Sequence, residues 1–124
     1  MTKQTIKEWL KERGDQTIAE NKVVMDDKEI IDVLEYDCIN HNILTVTAGV
    51  GKERDGKNGY QAYINIFDNG GTKWSVEVER EEGSRKDKGL TICTRGYAEL
   101  CTMIEALRFA ADVLESRKEI LDEG

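Results

Sequence analysis

The sequence predicts an α+β fold: a four-stranded antiparallel meander, then a long C-terminal helix, with an N-terminal helical extension. Three observations carry this. In separate segments between residues 42 and 93 apolar side chains recur at every second position, the period of a strand with one covered face. From residue 97 the spacing lengthens to three and four, as in an amphipathic helix. Only a short polar step separates the two patterns, so the last strand feeds directly into the helix. The expected division is an extension over 1–40 and a sheet-plus-helix unit over 41–124.

In the extension, Thr5 and Glu8 have capping-box spacing. Ile6, Trp9 and Leu10 then share a helical face, and Gly14 supplies a stop. Residues 15–25 fit neither period, Val23-Val24-Met25 being too short to assign. A second helix is expected over 26–38, capped at Asp26 with Glu29 three residues on, and buried along Ile30, Ile31 and Leu34. Ile31 and Val33 also alternate with charge, which is a strand pattern.

The strands follow. Leu44, Val46, Ala48 and Val50 alternate with Thr45 and Thr47. Ala62, Ile64 and Ile66 alternate with Tyr63, Asn65 and Phe67. Asp68-Asn69-Gly70-Gly71 reads as a hairpin turn into the next strand, where Trp74, Val76 and Val78 alternate with Ser75, Glu77 and Glu79. Residues 81–88 form a polar turn, and 90–93 a fourth short strand.

Thr94 is the expected cap of the last helix. Projected at 100° per residue, Leu100, Met103, Ile104, Ala106, Leu107, Ala110, Ala111 and Leu114 fill about half its circumference, while Cys101 and Phe109 fall outside that arc. So wide an apolar band exceeds what one small sheet needs. A homodimer is therefore expected, its interface formed by Tyr97, Leu100, Ile104, Leu107, Phe109, Ala111 and Leu114. The competing reading covers the surplus within one chain, using helix 26–38 or the N-terminal helix.

Composition narrows the function. Eighteen basic and 25 acidic residues give a net charge of −7 over 124 residues, against indiscriminate coating of duplex DNA. Cys38, Cys93 and Cys101 form no C-x-x-C pair, and His41 is the single histidine, so neither a zinc set nor another metal or cofactor is expected. The thiols are read as reduced and the chain as cytoplasmic. No apolar run reaches the length of a membrane span. Gly51-Lys52-Glu53-Arg54-Asp55-Gly56-Lys57-Asn58 nearly spells a phosphate loop, but Asn58 replaces the magnesium-binding hydroxyl, and Glu53 and Asp55 would repel phosphate. It is read as a loop between strands. No nucleophile has a recognisable activating partner, so no catalytic residue is assigned and the chain is read as a non-enzyme.

Basic residues cluster locally. Arg85, Lys86, Lys88 and Arg95 face Asp87 alone within 85–95, and Lys52, Arg54 and Lys57 occupy another loop. Tyr63 and Phe67 are two aromatics on the polar side of their strand. Rings on a sheet with cations at its margin suit single-stranded nucleic acid, whose bases stack while lysines follow the backbone. The binding set is then Tyr63 and Phe67 with Lys73, Arg85, Lys86, Lys88, Lys52 and Arg54. The plainer alternative is that helix 26–38 packs over both rings.

The stretch 44–107 resembles the single-stranded-DNA-binding domain of transcriptional positive cofactor four and its small bacterial relatives. The likeness rests on Tyr63-Ile64-Asn65-Ile66, the glycine turn at 70–71, Val76-Glu77-Val78, Lys88-Gly89-Leu90-Thr91-Ile92, and Tyr97 with Leu100 and Ile104 after it. The resemblance implies a homodimer with packed helices and a curved sheet that grips an extended single strand, Lys88, Arg85 and Lys86 being its basic strand-turn residues. Two positions depart from the family pattern. Asn69 and Gly70 stand where the family keeps an aromatic in the turn, and Glu79-Arg80-Glu81-Glu82 stands where it has one late in the third strand.

The expected function is accordingly a non-catalytic, homodimeric, single-stranded-nucleic-acid-binding protein. Its alternative is an acidic inhibitor from a phage or mobile element that blocks a basic host defence or nucleic-acid-binding protein, with Glu77, Glu79, Glu81, Glu82 and Asp87 imitating phosphates. A second alternative is a dimer that sequesters a small nucleotide between subunits.

Overall fold

The structure, a computed structural model, describes residues 18–25, 30–52 and 60–123, with side chains for all of these but Lys52 and 120–123. The helix expected at Thr5–Gly14 and most of the Gly51–Asn58 loop, Arg54 included, lie outside the described residues.

Four antiparallel strands form the main sheet in chain order: β1 (Ala19–Val24), β2 (Ile30–Ile39), β3 (Ile43–Lys52) and β4 (Tyr60–Gly70). A separate two-stranded hairpin follows, β5 (Trp74–Arg80) with β6 (Asp87–Thr94), and then the helix α1 (Tyr97–Glu123). The α+β class therefore holds, with the meander cut in two. Its expected first and second strands are β3 and β4, and its third and fourth are the hairpin. The pairing expected across Asp68-Asn69-Gly70-Gly71 is not made, because β4 and β5 belong to different sheets.

The helix expected over 26–38 is replaced, in its described part, by β2. The register Leu34↔Ala48, Tyr36↔Val46 and Cys38↔Leu44 places all six side chains on one face of the sheet. Burial on both faces explains the ambiguous pattern: Leu34, Tyr36 and Cys38 are buried on one side, Ile31 and Val33 on the other. The boundary expected at residue 40 thus falls in the turn between two paired strands. β1 pairs with β2 through Ala19↔Glu35 to Val24↔Ile30, so residues 19–24 also belong to the sheet.

The helix lies over β2 and β3. Ala106, Phe109, Ala110 and Val113 project down onto Leu34, Tyr36, Cys38, Leu44, Val46 and Ala48 to make the core. Phe109 is fully buried, with its ring 5.1 Å from that of Tyr36. Burying a side chain of this size contributes about 1.5–3 kcal/mol. Tyr36 places its hydroxyl outside the apolar patch, donating to Glu105 Oε1 at 2.8 Å.

Gly49 pairs with Val33 of β2. A Cβ there would lie 2.8 Å from Val33 Cγ1 and would strike the Asp32 carbonyl, so no side chain fits. The start of the helix also differs from expectation. Thr94 is the last residue of β6, paired with Trp74, and is not a cap. The first helical bond runs instead from the Leu100 N–H to the Gly96 carbonyl, and Gly96 has φ of +112°, a conformation side chains disfavour.

A buried polar knot joins the parts. Asn42, in the β2–β3 turn, donates through Nδ2 to Thr72 Oγ1 at 3.0 Å and to Thr102 Oγ1 at 2.9 Å. One side chain thereby ties the main sheet to the β4–β5 link and to the helix. Among the described residues, no helix is long and apolar enough to cross a membrane.

Candidate functional site

By alternation, the face of the main sheet turned away from α1 carries Glu35 and Asp37 from β2, Thr45 and Thr47 from β3, and Tyr63, Asn65 and Phe67 from β4. Register sets Phe67 beside Thr45 and Asn65 beside Thr47. The hydroxyls are used within the sheet: Thr45 donates to Asp37 at 2.7 Å and Thr47 to Glu35 at 3.3 Å. Asn69, the extra residue of a bulge against β3, donates to Thr45 at 2.6 Å. Phe67 therefore stands 58% exposed among carboxylates and amides. Tyr63 is half-buried on the same face, four residues along the strand. That separation is about 13 Å.

These two aromatics are the part of the sequence-derived set that the fold brings together. Covering of both rings by a helix at 26–38 is ruled out, because residues 30–39 are a strand of the same sheet.

The cations lie elsewhere. Arg85, Lys86 and Lys88 are exposed in and beside the turn of the hairpin, not on the main sheet. That turn is mixed in charge: Arg80, Arg85, Lys86 and Lys88 against Glu81, Glu82 and Asp87 leave a net of +1 over 80–88. Arg80 and Asp87 form an exposed ion pair at 3.0 Å. The local excess read from 85–95 is thus largely cancelled across the hairpin. Lys73 is exposed just before β5, its backbone N–H donating to the Glu99 carboxylate at 3.3 Å. Lys52 ends β3.

The acidic set shares the same hairpin. Glu77 and Glu79 point to its polar face, and Glu81 and Glu82 follow in the turn, all exposed. The opposite face of the hairpin is apolar, with Trp74, Val76 and Val78 against Ile92 and Leu90.

The expected interface residues divide by face of the helix. Tyr97, Leu100, Ile104, Leu107 and Ala111 are exposed and Leu114 is partly so. Phe109 is the correction: wholly buried against Tyr36, it belongs to the core and cannot meet a second copy.

At the link, Asp68 accepts from the Gly70 and Thr72 N–H groups at 3.0 and 3.2 Å. The Thr72 hydroxyl, with these two N–H groups, holds its carboxyl below the ordinary carboxylate value, since donors favour the ionised form. A cavity of about 560 Å³ lies between β1, β2 and the far part of α1, lined by Glu20, Asn21, Lys22, Asp32, Val33 and Arg117. Among the described residues, its lining has no aromatic side chain on which a nucleotide base could stack.

No protein-family model, curated protein or solved structure matches the chain.

Proposed function

We propose that the chain is a non-catalytic, homodimeric protein that takes single-stranded nucleic acid on the face of the main sheet turned away from the helix. The observation that carries this is Phe67, more than half exposed on β4 at the edge of that face, with Tyr63 further along the same strand. A ring in that position offers a platform that any base can stack on. Around it, Asp37 accepts hydrogen bonds, whereas Asn65 and Asn69 can both donate and accept. A carboxylate accepts from exocyclic amines such as that of cytosine, so bases bearing an amine are favoured over thymine. Lys73 and the cations of the hairpin meet phosphate, in numbers small enough to keep the salt dependence shallow, about −0.7 in log–log slope per contact.

The test is fluorescence anisotropy with labelled oligo-dC and oligo-dT at low and moderate salt. Binding tighter for dC is expected, and Phe67→Ala weakens it about 5- to 150-fold, the value of one lost stack of roughly 1–3 kcal/mol. Absence of binding at micromolar protein in low salt would remove the proposal.

A second reading is favoured by the four exposed glutamates of the hairpin, Glu77, Glu79, Glu81 and Glu82. In it, a basic host protein docks on that strip. Its capture by the wild-type chain, abolished by Glu77→Lys with Glu79→Lys, supports this reading; capture unchanged by those variants removes it.

A further inference from the structure

The hairpin β5–β6 has an apolar face that its own chain covers only at the base. Trp74 packs against the core. Beyond it on the same face, Val76, Val78 and Leu90 are 47%, 50% and 64% exposed. Val78 lies about 13 Å along the strand from Trp74. An isolated two-stranded hairpin is marginally stable in water, so an apolar arm of this kind needs something to rest on.

The outward side of α1 presents a matching surface. Tyr97, Leu100, Ile104, Leu107, Ala111 and Leu114 are spaced 3-4-3-4-3, the interval of a coiled-coil seam. This stripe is distinct from the inward one that makes the core, and Tyr97 at its start is 81% exposed. The arm reaches the helix through Arg95 and Gly96 alone, so the two apolar surfaces are neighbours in the chain.

We infer that the arm of each chain lies, apolar face down, over the helix of a second copy, beside a seam formed by the two α1 helices. Three features select a second copy over any other occupant. A 3-4 seam asks for a helix of the same spacing, and this chain owns one. The seam contains no charged residue, and the arm's apolar face has charge only at its tip, where Arg80 is paired with Asp87. Two chains of net charge −7 can therefore meet there without opposing like charges, whereas a basic protein or a nucleic acid would find no charged partner. The area also suits. A large side chain offers on the order of 150 Å², so seven at about half exposure leave roughly 500–600 Å². That approaches the ~800 Å² per partner of a standard interface and lies at the upper end of the roughly 300–600 Å² of the largest apolar patch on a typical monomer.

The inference rests on the homodimer in the reading above and is independent of its nucleic-acid part. Sedimentation of the full chain without oligonucleotide tests it. A dimer of twice 14.1 kDa is expected, and Val78→Glu with Leu90→Glu, or Leu107→Glu alone, should each weaken it at least 100-fold while far-ultraviolet circular dichroism stays unchanged. A wild-type monomer at about 100 μM, a concentration at which only weaker than high-micromolar association escapes detection, overturns both the dimer and the arm. A dimer broken by Leu107→Glu but indifferent to the arm variant overturns the arm and leaves the dimer standing. Should the arm variant misfold, amide exchange of the wild-type chain decides. Protection over 74–80 and 87–94 that falls on dilution to the monomer supports the arm, and protection that does not change refutes it.

Discussion

Replacing Asn42 by alanine should loosen the main sheet, the β4–β5 link and the helix from one another in a single step. Asn42 is 2% exposed, and its Nδ2 holds both Thr72 Oγ1 and Thr102 Oγ1 at 3.0 Å or less. Its Oδ1 lies 3.2 Å from Thr102 Oγ1. The loss is bounded on one side because Thr102 keeps acceptors in its own helix, the Glu99 and Ala98 carbonyls at 3.1 and 3.2 Å. Two buried hydrogen bonds at about 1 kcal/mol each, with a small void added, give a destabilisation of about 2–3 kcal/mol. For a domain of this size each kcal/mol moves the midpoint by about 3–5 °C, so thermal unfolding should fall by about 6–15 °C. Differential scanning calorimetry reads this directly, and Thr102→Ser, which retains the hydroxyl, should fall much less. A midpoint within about 2 °C of wild type for Asn42→Ala, which corresponds to well under 1 kcal/mol, would refute the knot as the tie between these elements.

Two further outcomes follow from single positions. Gly49→Ala should cost about 1–3 kcal/mol in urea unfolding, because the new methyl group meets Val33 and the Asp32 carbonyl; an unchanged midpoint would mean the strands can separate there freely. Asp68 titrates lower in the folded chain than its ordinary value of 3.8, so the unfolded chain takes up the proton first. Its contribution is complete above that value and is lost as pH falls through the folded one. Asp68→Asn should thus flatten the dependence of stability on pH in that acidic window, and an identical slope in the two proteins would show that the carboxylate is not held by Thr72 and Gly70.

Alternation announced β3, β4 and both strands of the hairpin because each has one apolar and one polar face. It also placed Tyr63 and Phe67 together, since side chains four apart on a strand must share a side. β2 was harder to read. Ile31 and Val33 are buried on one face and Leu34, Tyr36 and Cys38 on the other, so the period breaks between residues 33 and 34 and imitates a helical stripe. The signal that could have resolved it is the continuing alternation of Tyr36 and Cys38 with Glu35 and Asp37.

The turn at 68–71 shows what local chemistry decides and what it leaves to tertiary contacts. Asp68 and the glycines turn the chain, but the bonds from Asn42 and to Glu99 set where it goes next. The broad band on the helix had a different origin. It is two stripes, Ala106, Phe109, Ala110 and Val113 facing inward and Tyr97, Leu100, Ile104 and Leu107 facing outward. In projection Ala106 and Ala110 run on from the outward residues as a single wide face, while Phe109, outside that arc and expected at the interface, is the centre of the inward stripe. Charge summed along the sequence misled similarly at the hairpin, where register sets Asp87 against Arg80.

The most direct measurement of the central claim is a two-dimensional NMR titration of the labelled chain with unlabelled oligo-dC. Resonances of Asp37, Thr45, Asn65, Phe67 and Asn69 should move together, with those of the helix's inward face unmoved. Shifts confined to the hairpin turn at 81–86, or no shifts at saturating oligonucleotide, would contradict a binding face on the main sheet.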